Sequence, residues 1–282
     1  MSKFSIEDLL DEVVTLPSMP EALLRINELL EDPNCQMADV AKIISGDPAI
    51  ALKTLRLVNS AYYGLGQEVT SVEHAVVLLG VRVIKNLVIT ATVFAAIEGA
   101  AERFLCHSIS TGVAMRILAK EGTMGKSISS PDEAFIFGLL HDIGKVLLSE
   151  FLSEEYNQVD ELVEQGGLNA HEAEMRIIGV SHDELGARLA EKWKLSPVLI
   201  EAIGCHHNFS AATPELQSVT ANLMVADYLC NVAGLGCTLK TQPLMNASIW
   251  EASGFDATSI SRITENFLAS LNEIDELLEL AY

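Results

Sequence analysis

AFIFGLLHDIGKVLLS, residues 134–149, is apolar almost all round, and only His141, Asp142 and Lys145 interrupt it as strongly polar residues. A helix that is apolar on every side is a buried helix, so the pattern predicts one continuous buried helix over Phe135 to Ser149. Burying two potential charges there is unfavourable by several kcal/mol unless they are paired with each other or bound to a metal. His141 and Lys145 share a helix face, and Asp142 lies about 100° further round. Gly138 and Gly144 let other groups approach this helix closely. For the dipeptide alone, a buried His–Asp hydrogen bond without metal stays open as the plain alternative.

Outward from this stretch, helical punctuation repeats. Ser18-x-x-Glu21, Thr70-x-x-Glu73, Ser130-x-x-Glu133 and Ser181-x-x-Glu184 match the capping box, in which a hydroxyl and a carboxylate satisfy the free amides of a first helical turn. Asp47-Pro48, Ser130-Pro131 and Ser196-Pro197 add a cap residue followed by proline at the first helical position. Gly80, Gly122 and Gly166 stand where left-handed C-terminal caps end helices. Apolar residues recur at helical spacing, as in Leu185, Leu189 and Trp193, or Leu52, Leu55 and Val58. No alternating strand with a tight hairpin turn stands out, so the expected fold class is all-α and multi-helical. The expected organisation is an N-terminal helical lobe over 1–100, a lobe over 101–235 that holds the chemistry, and a C-terminal helical cap over 236–282.

Composition narrows the function classes. The 282 residues carry 18 Lys+Arg against 39 Asp+Glu, a formal net charge of -21, with a pI near 4.6. Phosphate backbones and anionic lipid surfaces are repelled by such a molecule, so neither direct nucleic-acid binding nor membrane association is expected. A polyanionic substrate would need a bound divalent cation to invert the local sign. Five cysteines without a Cys-x-x-Cys pairing support neither a disulfide framework nor a zinc knuckle, and a reducing cytoplasm fits best. The N-terminus has acids where a signal peptide needs an apolar run, and the most apolar stretch, Leu87 to Ile97, is too short to span a bilayer.

Seven histidines occur, and five fall into an order with two aspartates: His107, His141-Asp142, His182, His206-His207 and Asp227. Imidazole and carboxylate are ligands preferred by first-row metals, so a metal site is the leading expectation. Each member also has a plain reading. His206-His207 follows a helix that starts at Ser196-Pro197, and the dipole at its C-terminus favours cationic imidazoles anyway. His182 sits just after a cap and reads equally as a solvated first-turn residue, and His107 as a hydrogen-bonded structural histidine. Asp227 is harder to dismiss, because Met224, Val225, Ala226 and Leu229 around it are apolar. His74 and His171 fit the constellation poorly and read as structural, and Cys205 reads as a small buried thiol.

The order His107, His141-Asp142, Asp227 resembles the H…HD…D signature of the HD metal-dependent phosphohydrolase superfamily. Leu16-Pro17 with Pro20, Asp47-Pro48-Ala49, Leu57 with Asn59-Ser60-Ala61, Val72, His74-Ala75 and Leu79-Gly80 narrow the resemblance to the HDOD domain, the HD-related output domain of bacterial signalling. It covers roughly residues 12 to 230. The resemblance implies an all-helical output or regulatory module, many members of which lack part of the metal set and have no established activity. It also implies that His182 and His206-His207 occupy places where the related HD-GYP phosphodiesterases hold a second metal, with Asp142 bridging and Lys145 able to contact substrate phosphate. Asn208-Phe209-Ser210 follows the histidine pair with no Gly-Tyr-Pro motif nearby, so a cyclic dinucleotide substrate is not implied.

Two functional readings follow. In one, the chain is a signalling output protein that contacts pathway proteins, and its site holds a structural metal or an anion. In the other it is a phosphodiesterase or phosphatase. One or two divalent ions then polarise a phosphoryl oxygen and activate a water for in-line attack on a small phosphoester or nucleotide. His107, His141, Asp142 and Asp227 hold the first ion, His182, His206 and His207 the second, and Asp142 and Lys145 carry the catalytic work. A nitrogen and oxygen shell without thiolate suits iron, manganese or nickel better than a structural zinc site. A helical scaffold without metal is the third reading.

Overall fold

The computed structural model describes residues 21–281, apart from 31, 33–35, 61, 98–101, 123, 125–126, 129 and 236–244. The described regular elements are all helices, as the capping and periodicity predict. They are α1 (Glu21–Leu30), α2 (Met37–Ser45), α3 (Pro48–Val58), α4 (Val72–Ile97), α5 (Glu102–Glu121), α6 (Pro131–Leu140), α7 (Ile143–Phe151) and α8 (Ser153–Glu164). There follow α9 (Ala170–Ile177), α10 (His182–Lys192), α11 (Pro197–Cys205), a 3₁₀ turn (Phe209–Ala211), α12 (Gln217–Val232), α13 (Ala247–Ser253), α14 (Ala257–Ala269) and α15 (Leu271–Ala281). They group into two compact units, residues 102–270 in one and residues 21–97 with 271–281 in the other. The C-terminal stretch 236–282 is therefore divided, with α13 and α14 in the first unit and α15 in the second.

In the unit of residues 21–97 and 271–281, α4 packs against α2 and α3 over a core that includes Val40, Ile44, Leu57, Val58 and Ile84. Asp47 caps α3 as its Asp-Pro pair predicts: Oδ1 accepts the main-chain N–H of Ala49 at 3.0 Å and of Ile50 at 3.2 Å. Asn59 closes the following loop, its amide donating to the Val69 carbonyl at 2.8 Å and its Oδ1 accepting the Val69 N–H at 2.7 Å. The cap of α4 is Ser71 rather than Thr70, with the Ser71 hydroxyl accepting the His74 N–H at 3.1 Å. The core face of α3 also differs from the expected one. Ile50, Thr54, Leu57 and Val58 are buried, whereas Leu52 is exposed.

Gly80 takes φ 81° and ψ 160°, outside helical geometry, so α4 is two helical segments that meet there, at the helix end expected from the sequence. The apolar run is longer than Leu87 to Ile97, because α4 begins at Val72. Its window Val72–Ala91 is long and apolar enough to cross a membrane on length and composition alone, with 44% of it buried. Ser18 of the capping box Ser18-x-x-Glu21 and the motif residues Leu16, Pro17, Pro20 and Ala61 lie outside the described residues.

In the unit of residues 102–270, α5 packs against α6, α12 and α14, and α10 packs against α7 and α11. Ser130 and Ser196 cap α6 and α11, their hydroxyls accepting the N–H of Glu133 and of Leu199. Gly122 and Gly166 take positive φ after α5 and α8, as helix ends require. Ser181 precedes α10 but makes no capping bond with its hydroxyl. The N–H of His182 goes instead to the carboxylate of Glu174 at 2.8 Å. Leu185, Leu189 and Trp193 are all buried, on the face predicted for them.

The expected single helix over Phe135 to Ser149 is two helices, α6 ending at Leu140 and α7 starting at Ile143. Asp142 has φ −102° and ψ 13°. At the break His141 Nδ1 lies 2.7 Å from the Gly138 carbonyl, the group that would accept the Asp142 N–H in an unbroken helix. The imidazole takes that carbonyl and the ladder breaks at the one place where the sequence becomes polar.

Candidate metal centre

Two glycines bring the site's elements together. A Cβ on Gly138 would lie 2.4 Å from the main chain of Thr111, and one on Gly144 would lie 2.0 Å from the His182 carbonyl oxygen. Only hydrogen fits at either place. Gly138 lets α6 rest on α5, next to His107, and Gly144 lets the first turn of α7 rest on the first residue of α10.

All seven sequence-selected ligand candidates and Lys145 converge around Asp142. Its Oδ2 lies 2.6 Å from Lys145 Nζ, 3.4 Å from His141 Nε2 and 3.6 Å from His107 Nε2. Its Oδ1 lies 3.2 Å from His182 Nε2 and 3.6 Å from His206 Nε2. His182 Nε2 in turn is 2.8 Å from His207 Nε2 and 3.3 Å from His206 Nε2. Asp227 reaches the cluster through His107, Oδ1 to Nε2 at 3.0 Å, and is held by the Asn231 amide at 2.7 Å. His107, His141, Asp142, His182 and His206 are at most 3% exposed.

The tautomers are set from behind. Nδ1 of His141 faces the Gly138 carbonyl, Nδ1 of His206 the Ile203 carbonyl at 2.6 Å, Nδ1 of His107 the Leu235 carbonyl at 3.2 Å, and Nδ1 of His182 the Glu174 carboxylate at 2.6 Å. A ring that donates from Nδ1 presents a lone pair at Nε2. Four Nε2 atoms therefore converge on one carboxylate, and each offers a lone pair to a metal there once it carries no proton. Imidazole nitrogens at 2.8 Å need a proton or a cation between them, and the buried Nε2 of His141 has no hydrogen-bond partner. A divalent ion meets both requirements, so the donor set fits a metal. Two groups could hold one: Asp142 with His182, His206 and His207, and Asp142 with His107 and His141. Asp142 belongs to both.

The electrostatics agree. Burial opposes the charge on Asp142, but His141, Lys145 and the hydrogen bonds from His182 and His206 hold its carboxyl well below the usual range. Burial pushes His141 down to about 3. His182 is pulled down by burial, but the Glu174 charge and its hydrogen bonds reverse this and carry it up to about 9. Burial also opposes the charge on His107, but its bond to Asp227 and the nearby carboxylates raise it, so without metal both His182 and His107 favour a proton that a bound cation must displace. Burial and the neighbouring histidines hold His207 well below its ordinary value; the cationic pair favoured by a helix C-terminus is not what forms.

Sequence reasoning missed Glu174, which is fully buried on α9, and underrated His171. His74 lies in the other unit and is exposed, whereas His171 stands at the edge of the centre, its ring 5.5 Å from that of His207 and its Nδ1 2.8 Å from Asp183 Oδ1. Nor is His182 a solvated first-turn residue, being 0% exposed. Cys205 is half-buried and belongs to neither candidate group.

With this geometry in view, comparison with known proteins places the chain. The HDOD domain matches residues 16–209. The chain belongs to the HDOD family. A relative from Treponema pallidum (strain Nichols), an uncharacterized protein, is 28% identical over 226 residues, which are 79% of this chain and 43% of that one. The chain spans less than half the length of that curated relative. Among solved structures, an HDOD domain protein of unknown function from Geobacter sulfurreducens superposes with a TM-score of 0.78 at 24% identity, over 98% of this chain and 97% of the other. A protein from Shewanella amazonensis SB2B described as a candidate phosphohydrolase gives 0.74 at 24% identity, over 97% and 98%. At these identities the superpositions establish the HDOD fold and nothing finer.

Proposed function

We propose that this HDOD protein is a regulatory output module of bacterial signalling, working in the cytoplasm, that carries a dinuclear centre of divalent iron, manganese or nickel. The observation that carries the metal is the convergence of four imidazole Nε2 atoms, each with its Nδ1 already committed, on the shared carboxylate of Asp142. His107, His141, Asp142 and Asp227 would hold one ion and Asp142, His182, His206 and His207 the other. The regulatory reading is supported by the burial of these ligands, which leaves a phosphoester little access, and by the net charge of -21, which suits docking to basic surfaces of signalling proteins.

The second reading is a metal-dependent phosphohydrolase acting on a small phosphoester or nucleotide, and one observation favours it: the ligand set is complete and Lys145 is at hand. Two bound ions would supply Lewis-acid activation of water and of a phosphoryl oxygen. Asp142 would orient both ligand groups, and Lys145, whose side chain keeps 13% exposure beside the buried carboxylate, would offset charge developing on the phosphoryl group. Elemental analysis of protein purified without chelators, wild type against Asp142→Ala, tests the centre. The expected result is metal near two ions per chain that disappears in the variant, and metal-free, folded wild type refutes the proposal. Turnover on a phosphoester panel by the loaded protein, abolished in Asp142→Ala, would decide for the hydrolase.

A further inference from the structure

The four imidazoles are not backed alike. His107, His141 and His206 turn Nδ1 to neutral main-chain carbonyls, whereas His182 turns Nδ1 to Glu174 Oε2 at 2.6 Å. Glu174 is 0% exposed. Three donors converge on it: the His182 ring, the His182 main-chain N–H at 2.8 Å and the Tyr156 hydroxyl, 3.3 Å from Oε1. Two N–H groups and a hydroxyl around one buried carboxyl are the surroundings of a carboxylate that accepts on both oxygens.

The two ligand groups also differ in charge. The group around His107 and His141 has Asp227 at its side, bonded to His107. The group of His182, His206 and His207 has three imidazoles, and its carboxylate member is Asp142, which it shares. A buried divalent ion needs negative charge close by to compensate for lost hydration. Glu174 delivers that charge through the His182 ring, in the carboxylate–histidine arrangement that fixes a ligand's tautomer and raises its basicity.

We propose that Glu174 is the positioning residue on which the His182–His206–His207 group depends to hold an ion, so that without it the centre binds one ion instead of two. This rests on the dinuclear reading above. The test is a Mn(II) titration of the metal-free full chain, with bound ions counted by elemental analysis after gel filtration and their coupling read by electron paramagnetic resonance. Wild type should take up two ions with an exchange-coupled spectrum. Glu174→Gln should take up one, with the six-line signal of an isolated Mn(II) and an unchanged circular dichroism spectrum. Glu174→Asp, which withdraws the carboxylate by one methylene, covers the case in which the Gln variant does not fold. It should weaken the second ion by about tenfold or more while leaving the first unchanged. If wild type binds two ions and the substitutions leave both affinities unchanged, or remove both ions from folded protein, the role of Glu174 is refuted alone. If wild type binds no second ion, the dinuclear reading falls and takes this inference with it.

Discussion

The two compact units of this chain bury different things. Among the described residues of 21–97 and 271–281 the buried polar side chains are Asn27, Thr54, Ser60 and Thr90, none of which ionises, whereas residues 102–270 bury His107, His141, Asp142, Glu174, His182 and His206 among others. Both units have close-packed apolar cores, so stability alone does not call for the difference. Ionisable groups are expensive to bury and persist where they neutralise one another or bind an ion. The unit of residues 21–97 and 271–281 has the interior of a helical scaffold. The unit of residues 102–270 has accepted a desolvation penalty around Asp142, with His107, His141, His182 and His206 facing its carboxylate and Glu174 behind His182.

The sharpest way to break this contrast is Asp142→Ala. It leaves Lys145 and the converging Nε2 atoms without their shared carboxylate, so the expected outcome is loss of both ions and, in metal-free protein, destabilisation by about 3–5 kcal/mol in urea unfolding. Ions retained in the variant would show that they do not depend on Asp142. A scaffold substitution should act in the opposite way. Leu57→Ala, at a site 2% exposed, should lower stability by about 2–5 kcal/mol through lost burial and a cavity, while ions per folded chain remain as in wild type.

The pH dependence of metal-free protein sharpens the comparison further. His182 is raised from 6.5 to about 9, so its contribution is fully present below about 6.5 and is lost as pH rises towards 9. His141 is lowered from 6.5 to about 3, so its contribution is present above about 6.5 and is lost as pH falls towards 3. These two rings together favour a maximum in Tm near pH 6.5 for the chelator-treated chain, followed by circular dichroism. His182→Asn should reduce the alkaline decline, to which the raised His107 and His171 also contribute, and a decline that persists unaltered would show that His182 is not a source of it. The smallest effect belongs to the scaffold: Asp47→Ala removes the α3 cap and should lower stability by about 1 kcal/mol, with no change in metal content.

What the sequence by itself determined is whatever short-range chemistry decides. The all-helical class, the caps at Asp47, Ser130 and Ser196 and the positive φ of Gly80, Gly122 and Gly166 depend on residues within a turn of one another. The polar members of the centre were legible because His and Asp stand out inside apolar runs. Tertiary structure alone decided the break at His141-Asp142, since whether an imidazole takes its own helix's carbonyl depends on what stands on its other side. It alone set Glu174 behind His182 and His171 beside His207, for in sequence Glu174 is one of several charges on an amphipathic helix. It also exposed Leu52, moved the α4 cap to Ser71 and divided the C-terminal stretch between the units. Periodicity says that a face is apolar, whereas which face meets which neighbour is fixed by packing between elements far apart in the chain.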